Sequence, residues 1–285
     1  MKRGEFRALE RLRVRWVEVD LQKVVFNGHY LMYFDNAMAG YWRVSAMPYA
    51  PTMAHFAGDM FVRKATVEYH GSARYDDLLD IGVRCARIGT SSMHFTGAAF
   101  LQDRLIASCE LVYVFTHAHA PTPQPVPLAF RDAVLAYESG ESMVDVRVGS
   151  WDELGGPAGD VRTDVFLNEQ KIPAAMEWDA ADHECLHAVA FTRFGYPLAT
   201  GRLLVDAPHV ARIGRMATRQ SVRGSGIARR VLDGLMVEAR RRGDTAVVLS
   251  AQLSAQAFYA RAGFVPQGAV FDEAGIAHVE MSRPL

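Results

Sequence analysis

The first half of the chain changes its hydrophobic period once, and that change admits few folds. Between residues 29 and 47 the apolar side chains Tyr30, Phe34, Met38 and Tyr41 recur at helical spacing, and Pro48 stops the run. From residue 61 onward the period drops to two, and residues 61–70, 78–88, 92–101 and 105–115 read as consecutive strands. The turn residues Arg74-Tyr75-Asp76-Asp77, Gly89-Thr90 and Gln102-Asp103 separate them. Parallel neighbours need a long crossover, so connections this short imply an antiparallel sheet. One long apolar helix followed by such a sheet makes an α+β domain, the helix packed on the sheet.

Residues 12–19 alternate apolar and polar and read as a strand before that helix, with a loop from Asp20. The segment 117–127 carries Pro121, Pro123, Pro125 and Pro127 and is neither helix nor central strand. A short helix over 128–137 leads to the polar stretch Glu138-Ser139-Gly140-Glu141-Ser142. A domain boundary near Gly140 divides the chain into residues 1–140 and 141–285. In the second part, residues 144–148, 187–194, 199–205, 210–218, 246–250, 264–271 and 278–281 read as strands. Residues 161–169, 227–242 and 254–262 read as helices, giving a mixed sheet with helices on both faces.

Half of the 285 residues are hydrophobic and the formal net charge is -1, so no global field favours nucleic acid or an anionic membrane. No apolar run approaches the roughly 20 residues that span a bilayer, and the charged start lacks a signal-peptide core. Cys85, Cys109 and Cys185 are widely spaced, odd in number and without a CxxC pair, which fits a reducing compartment; the cytoplasm is the expected location. Arg229, Arg230, Arg240, Arg241 and Arg242 read as a solvated helix face with favourable charge at its C-terminal end.

The stretch Arg223-Gly224-Ser225-Gly226-Ile227-Ala228 joins a strand to an amphipathic helix. Two glycines allow a tight turn, and the helix start adds N–H groups and a positive dipole end, which together suit a phosphate or pyrophosphate. The stretch has neither the P-loop lysine nor the dinucleotide fingerprint. On these residues alone, an ordinary strand–helix turn stands equally open. Arg223-x-x-Gly226-x-Ala228, with Arg215-Met216-Ala217-Thr218 before it and Ala257-Phe258-Tyr259-Ala260-Arg261-Ala262-Gly263-Phe264 after it, resembles the GNAT acetyltransferase superfamily from about residue 144 to 285. The resemblance implies that Met216, Ala217 and Thr218 pair with pantetheine. It also implies that Arg223, Gly224, Ser225, Gly226, Ile227 and Ala228 hold the CoA pyrophosphate, and that the Tyr259 hydroxyl protonates the leaving thiolate. Tyr259 also reads as a core aromatic. Glu169, Glu177, Asp179 and His187 are candidate bases that spacing does not rank, while residues 272–281 border the acceptor pocket with His278 in a structural role.

In the first half, Asp20 lies between a strand and a long helix. A carboxylate there, facing the helix N-terminal amides, can hydrolyse a thioester as base or nucleophile while those amides polarise the carbonyl. Asp20, Val24-Val25, Asn27 and Tyr30, with Val67-Glu68-Tyr69 and Ala73-Arg74-Tyr75-Asp76-Asp77, resemble the hotdog-fold acyl-CoA thioesterases of the 4-hydroxybenzoyl-CoA type over about residues 10 to 138. The resemblance implies catalysis by Asp20, with Asn27 orienting water or the carbonyl. Lys23 stands where that family commonly has glycine; it either redirects the loop or sets a cation beside Asp20. His29 reads as a helix-start residue.

The sequence therefore predicts a hotdog domain followed by a GNAT domain. Both would act on acyl-CoA or acetyl-CoA as substrate, with an amine as acceptor in the second and with no metal and no permanently bound cofactor. A homodimer or tetramer through the hotdog half is implied by the resemblance. Two other readings stand beside this one: only one domain is catalytic, the hotdog half dimerising or sensing acyl-CoA; or the whole chain is a CoA-binding regulatory scaffold.

Overall fold

The computed structural model describes residues 1–285 apart from Pro121, which leaves that proline of the 117–127 segment outside the described residues. The chain divides into two compact units, Met1–Met143 and Val144–Leu285. Among the described residues no helix is long and apolar enough to cross a membrane.

In the first unit, strands β1 (Ala8–Arg13), β2 (Gly58–Tyr69), β3 (Leu78–Ile88), β4 (Ser92–Leu101) and β5 (Arg104–His117) form an antiparallel sheet in the order β1-β3-β4-β5-β2. A short strand β6 (Ala120–Pro123) adds to β5, so the proline-rich segment meets the sheet only at its margin, where a missing donor is tolerated. Helix α1 (Asn27–Val44) lays Tyr30, Phe34, Met38 and Tyr41 against the sheet, all buried as their spacing predicts. At Gly97 of β4 any Cβ would stand 2.6 Å from the Phe34 ring, so only glycine lets helix and sheet approach this closely. A second helix, α2 (Tyr49–His55), follows Pro48; the sequence reading treated that proline only as a stop, although proline also suits a helix entry.

Two expectations for this unit are corrected. The predicted strand over 12–19 ends at Arg13, and Trp16–Glu18 forms a tight helical turn instead. The Glu18 carboxylate folds back to accept the Arg15 N–H (2.7 Å) and Nε–H (2.8 Å), a local bond that competes with extended backbone. Helix α3 (Leu128–Ser139) runs past Tyr137 and takes Glu138 out of the expected polar linker. Its half-buried carboxylate accepts from the Tyr41 hydroxyl (2.8 Å) and the Cys85 N–H (2.7 Å).

In the second unit, strands β7 (Val144–Gly149), β8 (Leu186–Thr192), β9 (Pro197–Ala207), β10 (Val210–Thr218), β11 (Ala246–Gln252), β12 (Val265–Glu273) and β13 (Ile276–Pro284) form one sheet in the order β12-β13-β11-β10-β9-β8-β7. Every pairing is antiparallel except β10 with β11. Helix α4 (Trp151–Arg162) packs Leu154 and Ala158 on Val189 and Phe191, and a short helix α5 (Ala174–Glu177) comes before β8. Helix α6 (Ile227–Arg242) sets Val231 and Leu235 over Gly201, which pairs with Ala188. Adjacent residues of a strand point to opposite faces, so the two helices cover opposite sides of the sheet.

The predicted helix over 161–169 is the tail of a longer one. It begins after Ser150, whose N–H and hydroxyl bind Glu153 (2.8 and 3.1 Å), and Thr163–Glu169 continues it as a π-wound segment. The Ser150-x-x-Glu153 capping pair was legible in the sequence, but Gly155-Gly156-Pro157 masked it.

Candidate functional site

Strands β10 and β11 pair only from Val210 to Arg212 against Ala246 to Val248. Beyond that point the two strands separate. Strand β10 also loses register with β9 between Gly214 and Ala217, and Arg215 takes φ +51°, a conformation side chains rarely adopt. The bulge frees the peptide groups of Arg215 and Met216 from the ladder.

A cavity of about 400 Å³ lies in this opening, bordered by Met216 of β10, Ser250 of β11, Glu177, His278 of β13 and Tyr259 of helix α7 (Gln256–Arg261). A second cavity, about 440 Å³, is bordered by Thr218, Arg223, Gly226, Ala228, Phe258 and Arg261. Strand β10 and helix α7 each place neighbouring residues on the two cavities: Met216 and Tyr259 on the first, Thr218 and Phe258 on the second.

The second cavity is built by the glycine loop. Gly224 and Gly226 have φ +81° and +84°, and no Cβ would clash at either, so conformation rather than crowding calls for glycine there. No side chain caps α6, which leaves the first N–H groups of the helix open toward the cavity. Arg223 is committed within the chain. Its two terminal nitrogens donate to both Glu169 oxygens (2.6 Å each), and its Nε donates to the Thr218 carbonyl (2.9 Å). Glu169, a candidate base in the sequence, thus belongs to the loop, and Arg223 holds its carboxyl below the usual range.

Tyr259 is 7% exposed, and burial pushes its phenol up to about 12. Among the described residues its hydroxyl makes no hydrogen bond, so a proton sits on an open oxygen of a residue that borders the first cavity. Glu177 and Asp179 are bound into one network of ion pairs, buried at Glu177 and exposed at Asp179. Arg162, 1% exposed, donates from Nε to Glu177 Oε1 (2.5 Å), from Nη1 to Asp182 (2.8 Å) and from Nη2 to the Glu177 carbonyl (2.8 Å). Arg202 donates to Asp179 (2.7 and 2.8 Å) and Asp182 (2.8 Å). Burial raises the Glu177 carboxyl, while the bonds from Arg202 hold Asp179 low.

His187, 1% exposed, has its Nε2 2.9 Å from the Asp182 carbonyl, and burial lowers its pKa. Asp182, Cys185 and His187 lie close enough together to suggest metal ligands, a grouping the sequence reading missed. The Asp182 carboxylate already carries two buried guanidiniums, and His187 Nε2 points its proton at a carbonyl. The set therefore suits a charge network better than a cation.

In the first unit, residues 19–25 form a clamped loop. The Asp20 N–H donates to Val24 O, Lys23 N–H to Asp20 O and Phe26 N–H to Glu18 O, each at 2.9 Å, and Val19 bridges Val25. Asp20 Oδ1 accepts the Gln22 N–H at 2.8 Å and lies 3.5 Å from the Val24 nitrogen, while Oδ2 has no partner among the described residues. Lys23 has φ +61°, the left-handed conformation that glycine adopts readily. No ion pair joins Lys23 to Asp20 among the described residues.

Asn27 is exposed at the first turn of α1, whose start no side chain caps, and its carbonyl accepts the Tyr69 hydroxyl (3.0 Å). The Tyr30 hydroxyl accepts the Ala73 N–H (3.2 Å), and His29 Nδ1 is buried without a partner among the described residues. Sequence reasoning missed Glu18. It is 2% exposed, and burial pushes its carboxyl up, but bonds from Arg15 and the Tyr33 hydroxyl (2.8 Å) outweigh that and lower it. The carboxylate ties the Asp20 loop to the middle of α1.

These two units define a fusion of a hotdog-type domain with an acyltransferase-type domain. Residues 22–116 match the family model of the thioesterase superfamily, and residues 163–285 match that of the acetyltransferase (GNAT) domain. A segment that matches the thioesterase superfamily thus lies in the first half, and one that matches the GNAT acetyltransferases lies in the second. Relatives of part of the chain include a UPF0039 protein of Mycobacterium bovis, 36% identical over 129 residues, or 44% of this chain and 80% of the relative. A UPF0039 protein of Schizosaccharomyces pombe is 32% identical over 127 residues, 44% of this chain and 84% of the relative. Among solved structures, an acyl-CoA N-acyltransferase from Pseudomonas aeruginosa is similar (34% identity, 49% of this chain and 99% of that one, TM-score 0.45). A thioesterase complexed with coenzyme A and Zn from Thermus thermophilus is similar too (22%, 48% and 98%, TM-score 0.42).

Burial pushes the thiols of Cys85 and Cys109 up to about 12 and that of Cys185 up to about 11. Thiolates are the reactive form, so Ellman's reagent is expected to react slowly with the native protein at neutral pH and to count three thiols after denaturation. A fast native reaction of one equivalent would show that a cysteine is more accessible than this.

Proposed function

We propose that the chain is a bifunctional acyl-CoA enzyme whose first half hydrolyses an acyl-CoA thioester and whose second half transfers an acetyl or other acyl group from CoA to an amine. For the transferase, the observation that carries the reading is the path along β10. The opened strand edge with Met216 and the acid Tyr259 borders one cavity, and Thr218 with the glycine loop borders the next. An extended ligand with a diphosphate at one end and a thioester at the other fits that sequence of groups. The loop N–H groups of Gly224 to Ala228 meet the diphosphate, the freed amides of the bulge meet pantetheine, and Tyr259 protonates the departing thiolate.

Tyr259→Phe tests this half. It removes the proton donor and keeps the ring, so amine-dependent CoA release is expected to fall about 10²–10⁴-fold in kcat with acetyl-CoA affinity unchanged. A phenol raised to about 12 stays protonated below that pH, so the wild-type rate is expected to show no loss from Tyr259 ionisation up to pH 10. A matching loss of acetyl-CoA binding, or an unchanged kcat, would remove Tyr259 from the chemistry.

For the hydrolase, support comes from the open Oδ2 of Asp20 and the uncapped start of α1, the two groups that thioester hydrolysis needs. Strand β2 ends the sheet and exposes Phe61, Val62 and Tyr69, each at least half accessible, an edge suited to a second copy. A homodimer through this edge is part of the reading. A second reading, in which this half only dimerises, draws on Asp20 Oδ1, which closes its own turn.

A further inference from the structure

We propose that His278 is the base that takes the proton from the acceptor amine in the transferase cavity, an assignment that rests on the transferase reading of that cavity. The sequence suggested a structurally satisfied histidine, and the structure satisfies only one of its two nitrogens. On β13, His278 lies opposite Gln252 of β11 and Phe271 of β12. Its Nδ1 is 2.8 Å from the Ile276 carbonyl, and the ring stacks on Phe271 with centroids 5.9 Å apart. A carbonyl only accepts, so the proton is on Nδ1 and the lone pair on Nε2. Nε2 has no hydrogen-bond partner among the described residues and is not fully buried, and His278 borders the cavity. The imidazole is 8% exposed, its orientation is set by a bond and a ring contact, and its basic nitrogen is uncommitted.

The other charged groups bordering the cavity are Glu177, Arg202, Arg212, Arg215 and Glu273. Glu177 has one oxygen 2.5 Å from Arg162 and the other 3.3 Å from Arg215, so protonating it breaks buried ion pairs. Arg202 is held by Asp179 and Asp182, Arg215 by Glu177 and Asp179, and Arg212 by Asp206 and Glu280. Glu273 is exposed at the β12–β13 turn. His278 is the buried base in this cavity whose lone pair costs no existing bond to use.

The step balances as follows. An ammonium N–H proton passes to His278 Nε2, and the freed nitrogen pair forms a C–N bond to the thioester carbonyl carbon. The C–S bond breaks with its electron pair on sulfur, which takes the Tyr259 proton. The phenolate recovers a proton from the newly acylated nitrogen, and His278 releases its own to solvent.

The test compares two nucleophiles with acetyl-CoA on the full chain: butylamine, which is protonated at neutral pH, and hydroxylamine, which is not. Acylated product is measured by mass spectrometry after subtraction of the enzyme-free rate. In His278→Ala, kcat/KM for butylamine is expected to fall about 10²–10⁴-fold while the hydroxylamine rate changes little, and added imidazole restores part of the butylamine rate. His278→Gln, which keeps a polar side chain of similar length but no base, is expected to match His278→Ala and to bind acetyl-CoA as the wild type does. Equal losses with both nucleophiles, or none with butylamine, would overturn the assignment. A wild-type enzyme that acylates neither nucleophile would instead overturn the transferase reading beneath it.

Discussion

Asp20→Asn is expected to lower hydrolysis of an acyl-CoA substrate by about 10²–10⁴-fold without lowering the melting temperature, the range associated with removing a positioned general base. The choice of asparagine follows from the geometry. Oδ1 of Asp20 closes the loop by accepting the Gln22 N–H at 2.8 Å, and an amide oxygen serves that bond equally well. Only the charge, and with it the basicity or nucleophilicity of Oδ2, is lost. Asp20→Ala removes both functions and is expected to add a stability loss of about 0.5–1.5 kcal/mol, the usual net worth of one hydrogen bond. The pair separates two accounts of the first half. If Asp20→Asn hydrolyses at the wild-type rate, Asp20 is a turn residue and this half is a dimerisation module. A thiol-reagent assay serves the measurement because the chain's own cysteines are buried.

Arg162→Ala is expected to destabilise the second unit by about 3–5 kcal/mol, as when one partner of a buried ion pair is removed. Arg162 ties together Glu177 and Asp182, both 2% exposed, and lies 4.6 Å from the Trp178 ring and 5.6 Å from that of Trp151. Without the guanidinium, two carboxylates stay in the interior with less to hold them. The loss is a large share of the roughly 5–15 kcal/mol that stabilises an ordinary domain. Urea unfolding followed through tryptophan fluorescence measures it, and Arg162→Lys is expected to recover only part, because an ammonium cannot donate along two fixed directions. A loss below about 1 kcal/mol would place the network in the weak class of exposed ion pairs. Because Glu177 also borders the first cavity, the same variant is expected to loosen the cavity wall.

Local patterns carried most of the fold. Tyr30, Phe34, Met38 and Tyr41 announced α1 because helical burial repeats every third or fourth residue. The ranges predicted for β3, β4, β10 and α6 match the structure at both ends, and Asp77, Gly89, Asp103, Gly226 and Gly243 punctuate three of the four. Reading failed where side chains act on their own backbone or across the fold. Glu18 converts an alternating segment into a turn, and Ser150 with Glu153 starts a helix that two glycines and a proline disguise.

The two candidate loops were legible for a related reason. Glycines at 224 and 226 and the Asp20 turn meet backbone demands that are local in the chain. The roles of the isolated ionisable residues were not. Glu169, Glu177, Asp179 and His187 were equivalent in sequence, and their partners come from elements far along the chain: Arg223 for Glu169, Arg162 for Glu177, Arg202 for Asp179 and the Asp182 carbonyl for His187.

The sequence by itself determined the two α+β units, their order, and the loops that carry Asp20 and the glycines, since each depends on spacing within a short window. Only the tertiary structure decided which polar groups are paired within the fold and which are left open. Arg223 is spent on Glu169 and Glu177 on two arginines, while Tyr259 and one nitrogen of His278 stay open. The physical reason is that the free energy of an ionisable group is set by its desolvation and by the charges within a few ångströms of it, and those neighbours are chosen by folding rather than by position in the chain.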